Sequence, residues 1–209
     1  MAIQIISGAS DSELVVDPTS KAMRSGLYST DGLVVAPTDL YRGIATIIVR
    51  QTATTAAAAV TWAIYNPSSA RTIYIKEIWC QLFFDGTAVA TIMKYEWIKA
   101  TGCTAFSAGS AVTPLHKKTA ISSPAAQIRV LDTGLTTTGA SFGGSMLTMG
   151  QGRVTQTAIN YSGTVFSLGF ENFREFPIEL AQGEILALRQ TVVSVIGDNV
   201  IGYVEFSEA

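Results

Sequence analysis

The chain has 209 residues, of which 48% are hydrophobic and only 14% charged, against roughly 25% charged in an average soluble domain. A formal net charge of −2 with no clustered basic stripe argues against nucleic acid as a partner. No window approaches the ~20 continuous apolar residues of a spanning helix, so no membrane partner is expected either.

The opening Met1-Ala2-Ile3-Gln4-Ile5-Ile6-Ser7 lacks a basic n-region and has too short an apolar run for a signal peptide, so synthesis in a cytoplasm is expected. Residues 1–40 read as an N-terminal arm. Glu13-Leu14-Val15-Val16-Asp17-Pro18 is a short extended piece stopped by Pro18. Two strand-like runs, ending at Tyr28-Ser29 and opening at Leu33, flank Thr30-Asp31-Gly32. Asp-Gly between strands signals a hairpin, because Gly accepts the positive φ of a primed turn. This region has too few large apolar residues for a core of its own. An arm that grips a neighbour and an edge hairpin on the same domain are both open, and Leu14, Val15, Val16, Leu27 and Tyr28 are the candidate assembly contacts.

From residue 41 strand signals recur, and 41–209 reads as one domain. Ile44 to Arg50 is β-branched and apolar almost throughout, as a strand covered on both faces would be. Thr52 to Ala59 is low-complexity loop or extended chain. Val60 to Tyr65 alternates, and Asn66-Pro67-Ser68-Ser69 makes a turn. Arg71 to Phe84 is the longest strand-like run and ends at Asp85-Gly86, a hairpin-type turn. From Val89 to Ile98, Met93, Tyr95 and Trp97 share one parity, which suits a half-buried strand. Residues 100–126 look like a long loop excursion, expected to make contacts or carry function. Further strands fall at Gln127–Leu131, Thr164–Phe170, Phe176–Leu180, Ile185–Gln190 and Val200–Phe206, whereas Phe142-Gly143-Gly144 and Gly150-Gln151-Gly152 read as tight turns. Eight or more short strands without a fixed repeat predict an all-β fold, a β-sandwich of jelly-roll-like type with an extended N-terminal arm.

Chemistry is sparse. His116 is the only histidine and lies beside Lys117 and Lys118 in a Pro-flanked loop, with no nucleophile-elbow serine to serve. One His and two separated cysteines, Cys80 and Cys103, cannot supply a zinc site. Cys80 reads as a buried thiol in a strand and Cys103 as loop, with a disulfide disfavoured in a reducing cytoplasm. Carboxylates that could pair in a glycosidase-like site are Asp85, Glu96, Glu171, Glu175, Glu179 and Glu184. Asp198-Asn199 after Gly197 reads as a turn without the spaced acids of a calcium loop. No catalytic residue, metal or cofactor is assigned.

Pro177-Ile178-Glu179-Leu180-Ala181-Gln182-Gly183-Glu184-Ile185-Leu186-Ala187-Leu188-Arg189-Gln190, closing with Tyr203-Val204-Glu205-Phe206, is similar to the strand, x-x-Gly-Glu, strand ending of virion proteins of tailed bacteriophages. Ser7 to Asp11 and Val16 to Arg24 also resemble an N-terminal segment of such proteins, so the likeness covers about a quarter of the chain. The resemblance implies a non-enzymatic structural protein of the head, neck or tail, such as one decorating the capsid. Its expected partners are itself, as a homo-oligomer with a trimer among the options, and a major capsid or other virion protein; its place is the virion, after synthesis in the host cytoplasm. A second reading is a carbohydrate-binding sandwich on a tail or fibre, in which Trp62, Tyr95, Trp79 and Trp97 stack on sugar rings. The third and least favoured is a two-carboxylate hydrolase.

Overall fold

The computed structural model describes residues 28–29, 32–33, 41–86, 91–116, 123–153, 164–168 and 177–209. The chain divides into two compact units, 1–38 and 39–209. In the first, β1 (Tyr28–Ser29) pairs antiparallel with β2 (Gly32–Leu33), with Ser29 opposite Gly32. The two short strands pair as the hairpin signal expects, with Gly32 in the strand, and Thr30 and Asp31 lie outside the described residues. Leu14, Val15, Val16 and Leu27 lie outside the described residues.

The second unit is all-β, and no helix occurs among the described residues. Its long strands are β3 (Tyr41–Arg50), β4 (Val60–Tyr65), β5 (Ile73–Phe84), β6 (Ile92–Thr101), β12 (Ser141–Gly152), β13 (Thr164–Leu168), β15 (Ile185–Gln190) and β16 (Asp198–Glu208). Shorter ones are β7 (Ala105–Ser107), β8 (Ser110–Ala111), β9 (Leu115–His116), β10 (Gln127–Val130), β11 (Thr136–Thr138) and β14 (Ile178–Leu180). One antiparallel sheet runs β12-β6-β15-β4-β10-β8; the other runs β13-β5-β16-β3-β9, with β14 also on β5. The pairing is nested. β3 pairs with β16, β4 with β15, β5 with β13 and β6 with β12, and successive pairs alternate between the sheets.

Both sheets feed one apolar core, which includes Ile47, Ile75, Leu82 and Phe206 from one side and Trp62, Tyr95, Trp97 and Leu188 from the other. The Trp62 Nε1 donates to the Thr46 carbonyl at 3.0 Å, tying β4 to β3 across the layers. Within its own sheet Gly202 packs closely on β5: a Cβ there would sit 2.1 Å from the Trp79 carbonyl oxygen, so no side chain fits.

A second apolar cluster, with Ala63, Tyr65, Ala100, Phe106, Leu135 and Ala187, covers the other face of the β4–β15–β6 region. This reverses two expectations. β4 is buried at every position, because one face meets the main core and the other this second cluster. β3 alternates strictly, with Ile48 66% exposed, because its outer face carries no such cover among the described residues.

The 100–126 excursion is stitched down where it is described: β7 pairs with β11, β8 with β10 and β9 with β3. Asp85-Gly86 is not a hairpin turn, since β5 and β6 lie in different sheets. Gly143, Gly144, Gly150 and Gly152 sit inside β12 rather than in turns; Gly150 and Gly152 pair with Lys94 and Ile92 of β6, while Gly143 and Gly144 fall at the first of two register shifts. Their missing side chains obscure the strand periodicity in the sequence.

Candidate functional site

Two polar constellations stand out. On the outer face of the β13-β5-β16-β3 sheet, Glu77 and Glu205 are register partners across β5 and β16. Cross-strand partners bring their Cβ atoms to roughly 5 Å, and two like charges so placed repel. Neighbouring donors relieve that repulsion. Arg42 donates from Nε and Nη2 to Glu205 Oε1 at 2.9 and 2.7 Å. Tyr203 donates its hydroxyl to Glu77 Oε1 at 2.8 Å and stacks on Trp79 with centroids 5.9 Å apart. The sequence reading missed this pair, because each glutamate is one polar residue inside a strand-like run and only the register sets them side by side.

The Glu77 hydrogen bond, with burial second, pushes the Tyr203 hydroxyl up to about 12. The fold thus favours the neutral phenol. Its contribution is whole below the ordinary value of 10.0 and is lost as pH rises through about 12. Tyr203→Phe is expected to remove a late tyrosine transition from an ultraviolet titration and to flatten the stability loss across that window. Superimposable profiles for the two proteins would refute this.

The second constellation is interior. Arg153 follows β12 in one sheet, and Asp198 opens β16 in the other. Both are buried, with Arg153 Nε 2.7 Å from Asp198 Oδ1 and Nη2 2.6 Å from Oδ2. Nη1 donates to Thr91 Oγ1 at 2.5 Å and Nη2 to the Val193 carbonyl at 2.9 Å. Asp198-Asn199 is therefore the start of a strand and a buried ion pair rather than a turn. Buried Gln51, Thr55 and Gln190 are linked by side-chain hydrogen bonds, and the buried Ser194 Oγ has no hydrogen-bond partner among the described residues. Burial, with the nearby Asp198 charge second, raises Tyr95 well above the ordinary tyrosine value.

At the other end of β16, the buried Glu208 carboxylate accepts from Arg71 Nη1 and from the Ala125 and Ala126 amides, each at 2.9 Å. These bonds anchor the chain entering β10. The three networks pair these charges and hold strands in register.

No family model, curated protein or solved structure matches the chain.

Among the described residues, those singled out from sequence do not converge. His116 lies on β9 with its ring edge against Tyr41, at 4.7 Å between centroids. Cys80 and Cys103 are buried free thiols; Cys80 lies against Met149 Sδ at 3.3 Å, and burial pushes it up to about 11. Asp85 pairs with Arg50, Glu96 with Arg189, and Glu184 with Lys99. Glu179 offers its carbonyl to the same Lys99, and Glu171 and Glu175 lie outside the described residues. Trp62 and Trp97 are buried edge to face at 5.7 Å and Tyr95 is buried beside them, so none offers a ring to a sugar; only Trp79 of that set reaches the outer face. Among the described residues, no group of three or more His, Cys, Asp or Glu could hold a metal ion, and no helix is long and apolar enough to cross a membrane.

Proposed function

We propose that this chain is a non-enzymatic structural protein of a virion, acting through repeated protein–protein contacts, with capsid decoration as its leading role. The observation that carries the reading is the combination of sparse charge with large apolar side chains left in solvent. Ile48 is 66% exposed, Leu115 65% and Ile196 61%, on a chain only 14% charged. Ile48 is also the register partner of exposed Ile201, so part of this surface is continuous across two strands. Exposed apolar surface of this kind favours association.

The nested pairing supports a jelly-roll type of sandwich. Read from β3, the orders β3-β16-β5-β13 and β4-β15-β6-β12 are those of a long hairpin rolled into two sheets. Jelly rolls recur in viral shells and in lectins, so this order supports the reading only beside the surface and the resemblance of the termini. Many weak contacts repeated by symmetry would give such a protein its grip without high affinity per copy.

The test is light scattering after size exclusion, on the full chain and on a chain starting at Tyr41. A multimer whose mass changes on truncation supports assembly through the arm. Two clean monomers would remove self-assembly from the proposal.

A further inference from the structure

The outer faces of the two sheets are covered unequally. The second apolar cluster lies over the β4–β15–β6 face, whereas the outer face of β5, β16 and β3 keeps several side chains in solvent. Register sorts that face into rows. Trp79, Tyr203 and Thr46 form one row across the three strands, Glu77, Glu205 and Ile44 the next, and Tyr74, Ser207 and Arg42 the third. From Tyr203 to Ser207 the rows span roughly 13 Å of strand.

Rings and hydrogen-bonding groups alternate along this strip. Trp79 and Tyr203 are half-buried, with their ring planes 17° apart. Their outer register partners, Ser167 of β13 and Thr46 of β3, are small residues. Lys76 holds its ammonium 5.3 Å from the centre of the half-buried Tyr74 ring. Among the described residues, the side chain of Glu77 has one donor, the Tyr203 hydroxyl, beside the carboxylate that Arg42 holds. Ser207 is buried in the third row, and its hydroxyl has no hydrogen-bond partner among the described residues.

We infer that these three rows bind a neutral oligosaccharide. Three features select this occupant. Charge is the first: on β5, β16 and β3 the rows hold two acids, Glu77 and Glu205, against two bases, Lys76 and Arg42, which favours neither an anionic nor a cationic ligand. The second is the pairing of rings with fixed polar groups. A pyranose offers C–H bonds on one face, which suit the negative face of an aromatic ring, and hydroxyls at its rim that both donate and accept. Hydroxyl donors would also relieve the repulsion between Glu77 and Glu205, which are register partners. The third is composition, since the core of a protein interface is depleted in Lys and Glu, and this strip holds three such residues. The apolar partners Ile48 and Ile201 lie one row beyond Trp79 and leave the strip to the sugar. The inference goes beyond the assembly reading and does not depend on it.

The test exposes the full chain to an array of neutral and acidic oligosaccharides, and hits are titrated by tryptophan fluorescence. Retention of neutral members is expected. Trp79→Ala should abolish it, and Glu77→Gln, which keeps the shape of the side chain, should weaken it about tenfold by removing a charged acceptor. Because Glu77→Gln disturbs packing little, the test survives if Trp79→Ala fails to fold. An array with no neutral hit, one with acidic hits only, or wild-type affinity in either variant would overturn the site. So would a Trp79→Ala chain that binds no glycan less well but loses oligomeric mass in light scattering, since the face would then be a protein contact. Mass and glycan retention are read separately, so assembly stands or falls on its own.

Discussion

Arg153→Leu is expected to lower the unfolding free energy by about 3–5 kcal/mol, the usual cost of stranding one partner of a buried ion pair. Without the guanidinium, Asp198 keeps the Val195 amide at 3.2 Å as its remaining donor and stays buried. Thr91 Oγ1 and the Val193 carbonyl lose their donor in the same step. The location adds to the effect, because the pair joins the end of β12 in one sheet to the start of β16 in the other. For a unit of this size, roughly 2–4 °C of melting temperature accompanies each kcal/mol. Urea unfolding followed by far-ultraviolet circular dichroism measures it. Arg153→Met with Asp198→Leu should recover part of the loss, since removing both charges also removes the stranded one. A single variant within about 0.5 kcal/mol of wild type, the range of an ordinary surface change, would mean that the pair contributes nothing net.

Trp62→Ala is expected to cost a comparable amount, about 3–5 kcal/mol, as for other large aromatic truncations in cores. The indole is fully buried, meets Trp97 edge to face, and donates to Thr46 on the opposite sheet. Alanine leaves a void between the sheets and an unpaired carbonyl. Trp62→Phe keeps most of the ring contact and loses the cross-sheet hydrogen bond, so it should fall nearer 1–2 kcal/mol. Ile48→Ala, on an exposed site, serves as the reference. If Trp62→Ala were no worse than Ile48→Ala, the layer contact would not be the source of stability here.

The opening of β6 was easy to read, because one of its faces is wet there. Met93, Tyr95 and Trp97 share a parity and are buried, while Ile92 and Lys94 face out; from Glu96 on, the second apolar cluster, with Ile98 and Ala100, buries the other parity too. Period two is a local property, set by the pleat, and it shows in the sequence only where the residues of the two faces differ in kind. β12 was harder, because glycine at four of its twelve positions leaves no side chain to alternate. The outer-face carboxylate pair was hidden for a different reason. Glu77 and Glu205 are far apart in sequence and meet only through the register of β5 with β16. Asp198 had the composition of a turn after Gly197, and only its pairing with Phe84 of β5 makes it a strand residue.

By itself, then, the sequence determined the all-β class, the positions of most strands and the scarcity of charged side chains available for chemistry. These follow from composition and from interactions between near neighbours. The tertiary structure alone decided that β3 would have a wet face and β4 none, that the first long strand would pair with the last, and which charges would meet inside. Coverage of a strand's second face and the pairing of distant strands depend on what the rest of the chain brings to them. A window of six or ten residues holds no record of that.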